Sequence, residues 1–174
     1  MPILLPLLQQ FALSLTRNFA SAVPAQPEDQ LKPPVKLLIE STGQELHQNV
    51  ILRSESQVAG LRGRPDFGTD VNGVLCGYIE LKAPGIGARP QRFTRTSDNG
   101  KQWEKFKSLP NLIYTDGNEW SLFRTGQQIG STIRLAGDVT ADGEHAITQE
   151  NAVALEVLLQ DFLSWQPIVP SRPR

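Results

Sequence analysis

The chain has 174 residues and a mass of 19.2 kDa, enough for one ordinary domain with a real core. Apolar residues make up 39% and charged residues 20%, which excludes a disordered acidic chain and a coiled coil. A net charge of −1 gives no whole-molecule pull on a polyanion, so any nucleic-acid surface must be a local patch.

A single cysteine, Cys76, excludes an intramolecular disulfide and a cysteine-rich zinc site, and it suits a reducing cytosol. The first residues are apolar (Ile3, Leu4, Leu5, Leu7, Leu8), but no Lys or Arg precedes them and Gln9 and Gln10 interrupt them. The first basic residue, Arg17, is on the wrong side for a signal peptide. An amphipathic helix over 1–20, packing on the domain, is therefore expected. No stretch approaches the roughly 18 uninterrupted apolar residues that suggest a membrane span, so no membrane partner is expected and the expected setting is cytoplasmic.

Ser21 to Pro27 reads as a linker of small residues and proline. Leu31, Val35, Leu38 and Ile39 then recur at helical spacing, and the pattern fades near Gly43. Proline is tolerated in a first turn and disruptive deeper in, so this helix should start near Pro33-Pro34 or kink there.

From Asn49 the pattern becomes that of strands. Val50 to Arg53 is short and apolar, Pro65 to Val71 is extended, and GVLCGYIELK (Gly73 to Lys82) is the strongest strand, coming after the turn-like Asn72-Gly73. Pro84 to Gly87 ends it. Gly100 to Ser108 forms a short polar helix. Asn111 to Thr115 and Trp120 to Arg124 flank Asp116-Gly117-Asn118-Glu119, a hairpin signal, and Ile129 to Leu135 extends the meander past Gly126. Thr148 to Trp165 is an amphipathic helix carrying Val153, Leu155, Val157, Leu158, Phe162 and Leu163. Residues 167–174 resemble a linker. Helices before and after a mainly antiparallel sheet make 21–166 an α/β or α+β domain.

The informative stretch is GRPDFGTDVNGVLCGYIELKAPG, from Gly63 to Gly85. Side chains alternate along a strand, so Glu80 and Lys82 share one face with Leu81 on the other. If the two extended segments pair as a hairpin, Asp66, fourteen residues before Glu80, comes beside it. Two carboxylates and an ammonium then converge at the rim of a sheet. Phosphodiester hydrolysis needs such groups: carboxylates to hold a hard cation with its waters, and a lysine to act as a point charge near the phosphate. The bland reading of E-x-K is an exposed ion pair worth little. Two features stand against it: the pair sits where an apolar strand meets a Gly/Pro loop, and a basic stretch begins at Lys82. Lys82 to Lys107 carries seven basic residues against Asp98 and Glu104, a local net charge of +5, with Phe93, Trp103 and Phe106 interleaved. That composition suits phosphate contacts and base stacking; its bland counterpart is a solvated basic face.

Other candidates are weaker. His47 and His145 have no partner at metal-ligand spacing and are expected on the polar surface. Cys76, mid-strand beside apolar neighbours, reads as a small core residue. Asp70 belongs to the turn before Asn72-Gly73. Ser54, Ser56 and Ser97 lack the strand–elbow–helix context of a serine hydrolase. No phosphate loop of Walker type is present.

The segment resembles the PD-(D/E)xK nuclease superfamily. More narrowly, GRPDF, GYIELKAPG and QWEKFKSLPNLIYTDGNEWSLFRTG are similar to the nuclease domain at the N-terminus of restriction–modification proteins that also carry an adenine methyltransferase. The resemblance covers roughly Glu28 to Gly126, and the extended run is more specific than PD…ExK alone. It implies a restriction-endonuclease-like core, a central mixed β-sheet flanked by helices. It makes Asp66 and Glu80 metal ligands, the backbone carbonyl of Leu81 a further ligand, and Lys82 the catalytic lysine. Gln102, four residues before Phe106, matches a glutamine–aromatic motif that usually carries tyrosine, so core packing is the expected job of Phe106. An acidic residue on the first core helix is matched by Glu28, with Glu40 as the alternative.

The implied activity is Mg²⁺-dependent hydrolysis of double-stranded DNA in a restriction–modification or phage-defence system, with Mn²⁺ as a substitute. A methyltransferase or helicase module, downstream or in the same system, is the implied partner. The expected DNA contacts are Arg64, Arg89, Arg92, Arg95, Lys101 and Lys105. The rivals are a nuclease-fold DNA-binding or assembly module without turnover, and a nuclease of another substrate such as RNA or a recombination intermediate.

Overall fold

The computed structural model describes residues 2–23, 25–55, 57–58 and 60–167, so the linker-like tail falls largely outside it. Six strands form one sheet in sequence order: β1 (Val50–Ser54), β2 (Phe67–Val71), β3 (Val74–Leu81), β4 (Leu112–Thr115), β5 (Glu119–Arg124) and β6 (Gln127–Arg134). Every neighbour is antiparallel except β3 and β4, which run parallel. A parallel pair needs a crossover, and residues 82–111 supply it with a 3-10 turn at Pro90–Arg92 and the helix α3 (Asp98–Phe106).

The tight hairpins result from turn chemistry. Asn72 (φ 53°) with Gly73 (φ 85°), and Thr125 (φ 51°) with Gly126 (φ 82°), put two successive residues in the left-handed region. That geometry matches the twist of the flanking strands, and glycine adopts it without a Cβ penalty. Between Thr69 and Asp70 the β2–β3 register shifts, leaving Cys76 as the extra residue of a bulge.

Alternation along the strands builds two cores. Phe67, Ile79, Leu81, Ile113, Trp120 and Leu122 face a large cluster made with α1 (Leu4–Ala20), α2 (Pro27–Glu45) and α4 (Gln149–Ser164). Tyr78, Leu112, Tyr114 and Phe123 face a smaller one with Trp103 and Phe106 of α3. The first helix is integral to the large core: Leu4, Leu8, Phe11 and Leu15 are buried, and the Phe11 ring meets Trp120 edge-on at 6.0 Å. Ser97 caps α3 by accepting the Gly100 N–H at 3.0 Å, and Thr148 caps α4 by accepting that of Asn151 at 3.1 Å.

The second helix does not start near Pro33, the first of the two alternatives expected. It starts at Pro27, in the position where proline is pre-organised, and runs on through Pro33 and Pro34. Each interior proline removes one N–H from the helical ladder. Burial of Leu31, Pro34, Val35, Leu38 and Ile39 on the large core outweighs that loss.

Candidate active site at the end of the third strand

Asp66 directly precedes β2, and the register that sets Phe67 opposite Ile79 brings it to Glu80. Two backbone N–H groups tie the carboxylates across the hairpin. The Leu81 N–H donates to Asp66 Oδ2 at 2.8 Å, and the Asp66 N–H donates to Glu80 Oε2 at 3.3 Å. Lys82 lies just beyond β3, yet its N–H still donates to Thr115 O at 2.9 Å, so the parallel ladder holds its backbone in place. Its ammonium donates to Glu80 Oε1 at 3.3 Å and to Gln102 Oε1 at 2.6 Å. Glu80 is 4% exposed and Lys82 is 3% exposed. The exposed, weak ion pair of the bland reading is thereby excluded: this pair is buried and tied to a third side chain on α3.

Burial shifts the titration of both carboxyls in the cluster. Burial, then the adjacent Asp66 charge, pushes the Glu80 carboxyl up to about 8, against the opposing pull of Lys82. Burial also raises Asp66, partly offset by the Leu81 N–H, Lys32 and Lys82. Tyr114, paired directly with Glu80 across β3 and β4, packs edge-on to Trp103 at 5.6 Å. Its phenol is shifted upward by burial and by the Glu80 and Asp66 charges. Its buried hydroxyl has no hydrogen-bond partner among the described residues.

Among the residues expected from the sequence, Asp66, Glu80, Lys82, Gln102 and the Leu81 backbone converge. Glu28 makes no direct hydrogen bond to them among the described residues. It is the second residue of α2, half-buried, with no hydrogen bond or ion pair among the described residues. Glu40 is engaged elsewhere, accepting from the Lys36 ammonium and the Leu52 N–H. No group of three or more His, Cys, Asp and Glu side chains could hold a metal among the described residues. The acidic donors are therefore the pair Asp66 and Glu80. Two adjacent carboxylates are nevertheless oxygen donors of the kind a hard cation takes, and two carboxyls raised mainly by burial, Glu80 also by the Asp66 charge, fit a site that a cation would complete.

Sequence reasoning missed Lys32. Its ammonium lies 3.0 Å from Asp29 Oδ1 and 3.7 Å from Asp66 Oδ1. The only available signal was its place one helical turn after Glu28. It also missed Asp116, whose carboxylate accepts the N–H groups of Gly85 and Gly87 at 3.0 and 2.8 Å and so shapes the loop leaving Lys82.

The basic face is uneven. Arg64, Arg92, Lys101 and Lys105 are exposed with no ion pair among the described residues. Arg95 is exposed but lies 3.8 Å from Glu104, and Arg89 turns inward to within 3.7 Å of Glu119. Phe106, buried at 1% exposure, is core, as are Cys76 and Trp103. His47 and His145 are exposed, and Asp70 ion-pairs with Arg53 at 2.7 Å.

The architecture is that of a restriction-endonuclease-like α/β core: a six-stranded mixed sheet with helices on both faces. Compared by sequence, the chain matches no protein-family model and no curated protein. Compared by structure, it is similar to a chain in the cryo-EM structure of a DrdV–DNA complex, with a TM-score of 0.61 at 16% identity. That similarity covers 94% of this chain and 14% of the DrdV chain, so the chain spans about a seventh of the length of its structural neighbour. Identity that low supports the fold alone. Among the described residues no helix is long and apolar enough to cross a membrane.

Proposed function

We propose that the chain is a Mg²⁺-dependent endonuclease domain that hydrolyses DNA phosphodiester bonds. The observation carrying this reading is the Asp66–Glu80–Lys82 cluster at the end of β3, with Glu80 and Lys82 buried and Asp66 half-buried, held by the N–H groups of Asp66 and Leu81. Likeness to one segment of a DNA-complexed protein supports it at the level of fold.

In this reading Asp66, Glu80 and the Leu81 carbonyl hold Mg²⁺, for which Mn²⁺ substitutes. The bound cation makes a water more acidic and offsets charge developing on the phosphate. The residues divide the remaining work. The Leu81 N–H pins Asp66 Oδ2, leaving Oδ1 as the outward ligand atom. Gln102 accepts from the Lys82 ammonium and so fixes a point charge beside the reacting group at no reorganisation cost. Burial around Glu80 keeps the local dielectric low, which strengthens each of these interactions. Arg64, Arg92, Lys101 and Lys105 supply phosphate contacts along the duplex.

The proposed setting is a restriction–modification or phage-defence system in the cytoplasm, with a methyltransferase or helicase module working beside the nuclease. Supercoiled plasmid incubated with the protein and Mg²⁺ is the test, and nicked or linear product is the expected result. Retained duplex binding with no product in either Mg²⁺ or Mn²⁺ would instead support a DNA-binding module that keeps the fold without turnover.

A further inference from the structure

Lys32 stands at the mouth of the acidic cluster without belonging to the PD…ExK pattern. We propose that its ammonium, which bridges Asp66 and Asp29, is a phosphate-binding residue that leaves Asp66 when the divalent cation enters. The inference rests on the nuclease reading and adds a residue to it.

The two carboxylates are matched by two ammoniums of different character. Lys82 is confined, its side chain 4% exposed and gripped between Glu80 and Gln102. Lys32 has a side chain 27% exposed and a choice of partners. Its contact with Asp29 Oδ1, at 3.0 Å, is shorter than its contact with Asp66 Oδ1, at 3.7 Å. The Asp66 oxygen it approaches is the one the Leu81 N–H leaves open, hence the oxygen a cation would take. A divalent cation there repels an ammonium at this distance. Asp29, itself 61% exposed, gives Lys32 a second resting place on the helix surface. From that position its flexible stem reaches toward the polyanion arriving at the same mouth, where an ammonium serves as a point charge for phosphate. Lys32 thus competes with the cation in the free protein and joins the substrate in the complex.

The test compares the full 174-residue chain with its Lys32→Met, Lys32→Arg and Asp29→Asn variants. Melting midpoints tracked through a Mg²⁺ titration without DNA read cation affinity directly. Lys32→Met should saturate at several-fold lower Mg²⁺, because no ammonium competes for Asp66. Asp29→Asn should need more Mg²⁺ than the parent, because Lys32 loses its alternative partner. Duplex affinity in Ca²⁺, measured between about 50 and 200 mM salt, reads the phosphate contact. Lys32→Met should lower the salt slope by about one, with Lys32→Arg restoring it. Parental Mg²⁺ midpoints in both Lys32→Met and Asp29→Asn, with an unchanged salt slope, overturn the inference and leave the nuclease reading standing. A parent chain whose melting ignores Mg²⁺ overturns both.

Discussion

Lys82 is a buried ammonium with a carboxylate on one side and an amide oxygen on the other. Lys82→Ala should abolish most DNA cleavage while leaving Mg²⁺-induced stabilisation largely in place, because in the proposed function the ammonium acts on water or phosphate and not on the cation. Cleavage rates beside a Mg²⁺ melting titration separate the two effects. Glu80 carries a pH signature. Its folded carboxyl titrates near 8 and its unfolded one near 4.5, so the folded state binds the extra proton between these values. Its contribution to stability is complete below the unfolded value and is lost as pH rises through about 8. Melting temperatures of the metal-free protein should therefore fall across that window. Glu80→Gln should flatten the fall, and Mg²⁺ should oppose it by stabilising the ionised carboxylates. A profile identical in Glu80→Gln and parent would show that Glu80 is not the titrating group. Cys76, whose thiol burial pushes to about 11, should resist alkylation in the folded protein.

At the scale of elements, α3 does two jobs. Its inner face supplies Trp103 and Phe106 to the small core and Gln102 to Lys82, while its outer face carries Lys101 and Lys105. Phe106→Ala should cost about 3–5 kcal/mol by leaving a cavity beneath the helix, read as a lowered urea midpoint. Changing Arg92, Arg95 and Lys101 together to Ala should weaken DNA binding at every sequence and flatten its salt dependence, with no loss of stability. Unchanged affinity at low salt would mark this face as merely solvated. The β2–β3 hairpin was legible in the sequence because two local signals agree: Asn72-Gly73 demands a tight turn, and alternation along GYIELK assigns Glu80 and Lys82 to one face. The start of α2 was not legible, since Pro33-Pro34 argues locally for a helix start or a kink and only burial against a distant core carries the helix through them. The bulge at Cys76 and the approach of Lys32 to Asp66 were hidden for the same reason. Both depend on contacts between residues far apart in sequence, which periodicity does not encode.

At the scale of the molecule, the candidate site lies where the strand pairing turns from antiparallel to parallel. Lys82 leaves β3 at its only parallel neighbour, and the crossover that such a neighbour requires brings α3 back over the strand ends. The same crossover places Gln102 against Lys82, and Asp116 and Glu119 tie down its first loop. The acidic pair is thus held by a hairpin on one side and a parallel ladder on the other, so truncating one of its carboxylates should disable the chemistry and leave the fold intact. Plasmid cleavage by the parent chain and by Asp66→Ala, with thermal melts of both, tests this most directly. The expected result is nicking by the parent in Mg²⁺, none in excess EDTA, and none by an Asp66→Ala protein that melts cooperatively. Cleavage at the parental rate by folded Asp66→Ala, or by either protein in EDTA, would contradict a metal-dependent site built on Asp66 and Glu80.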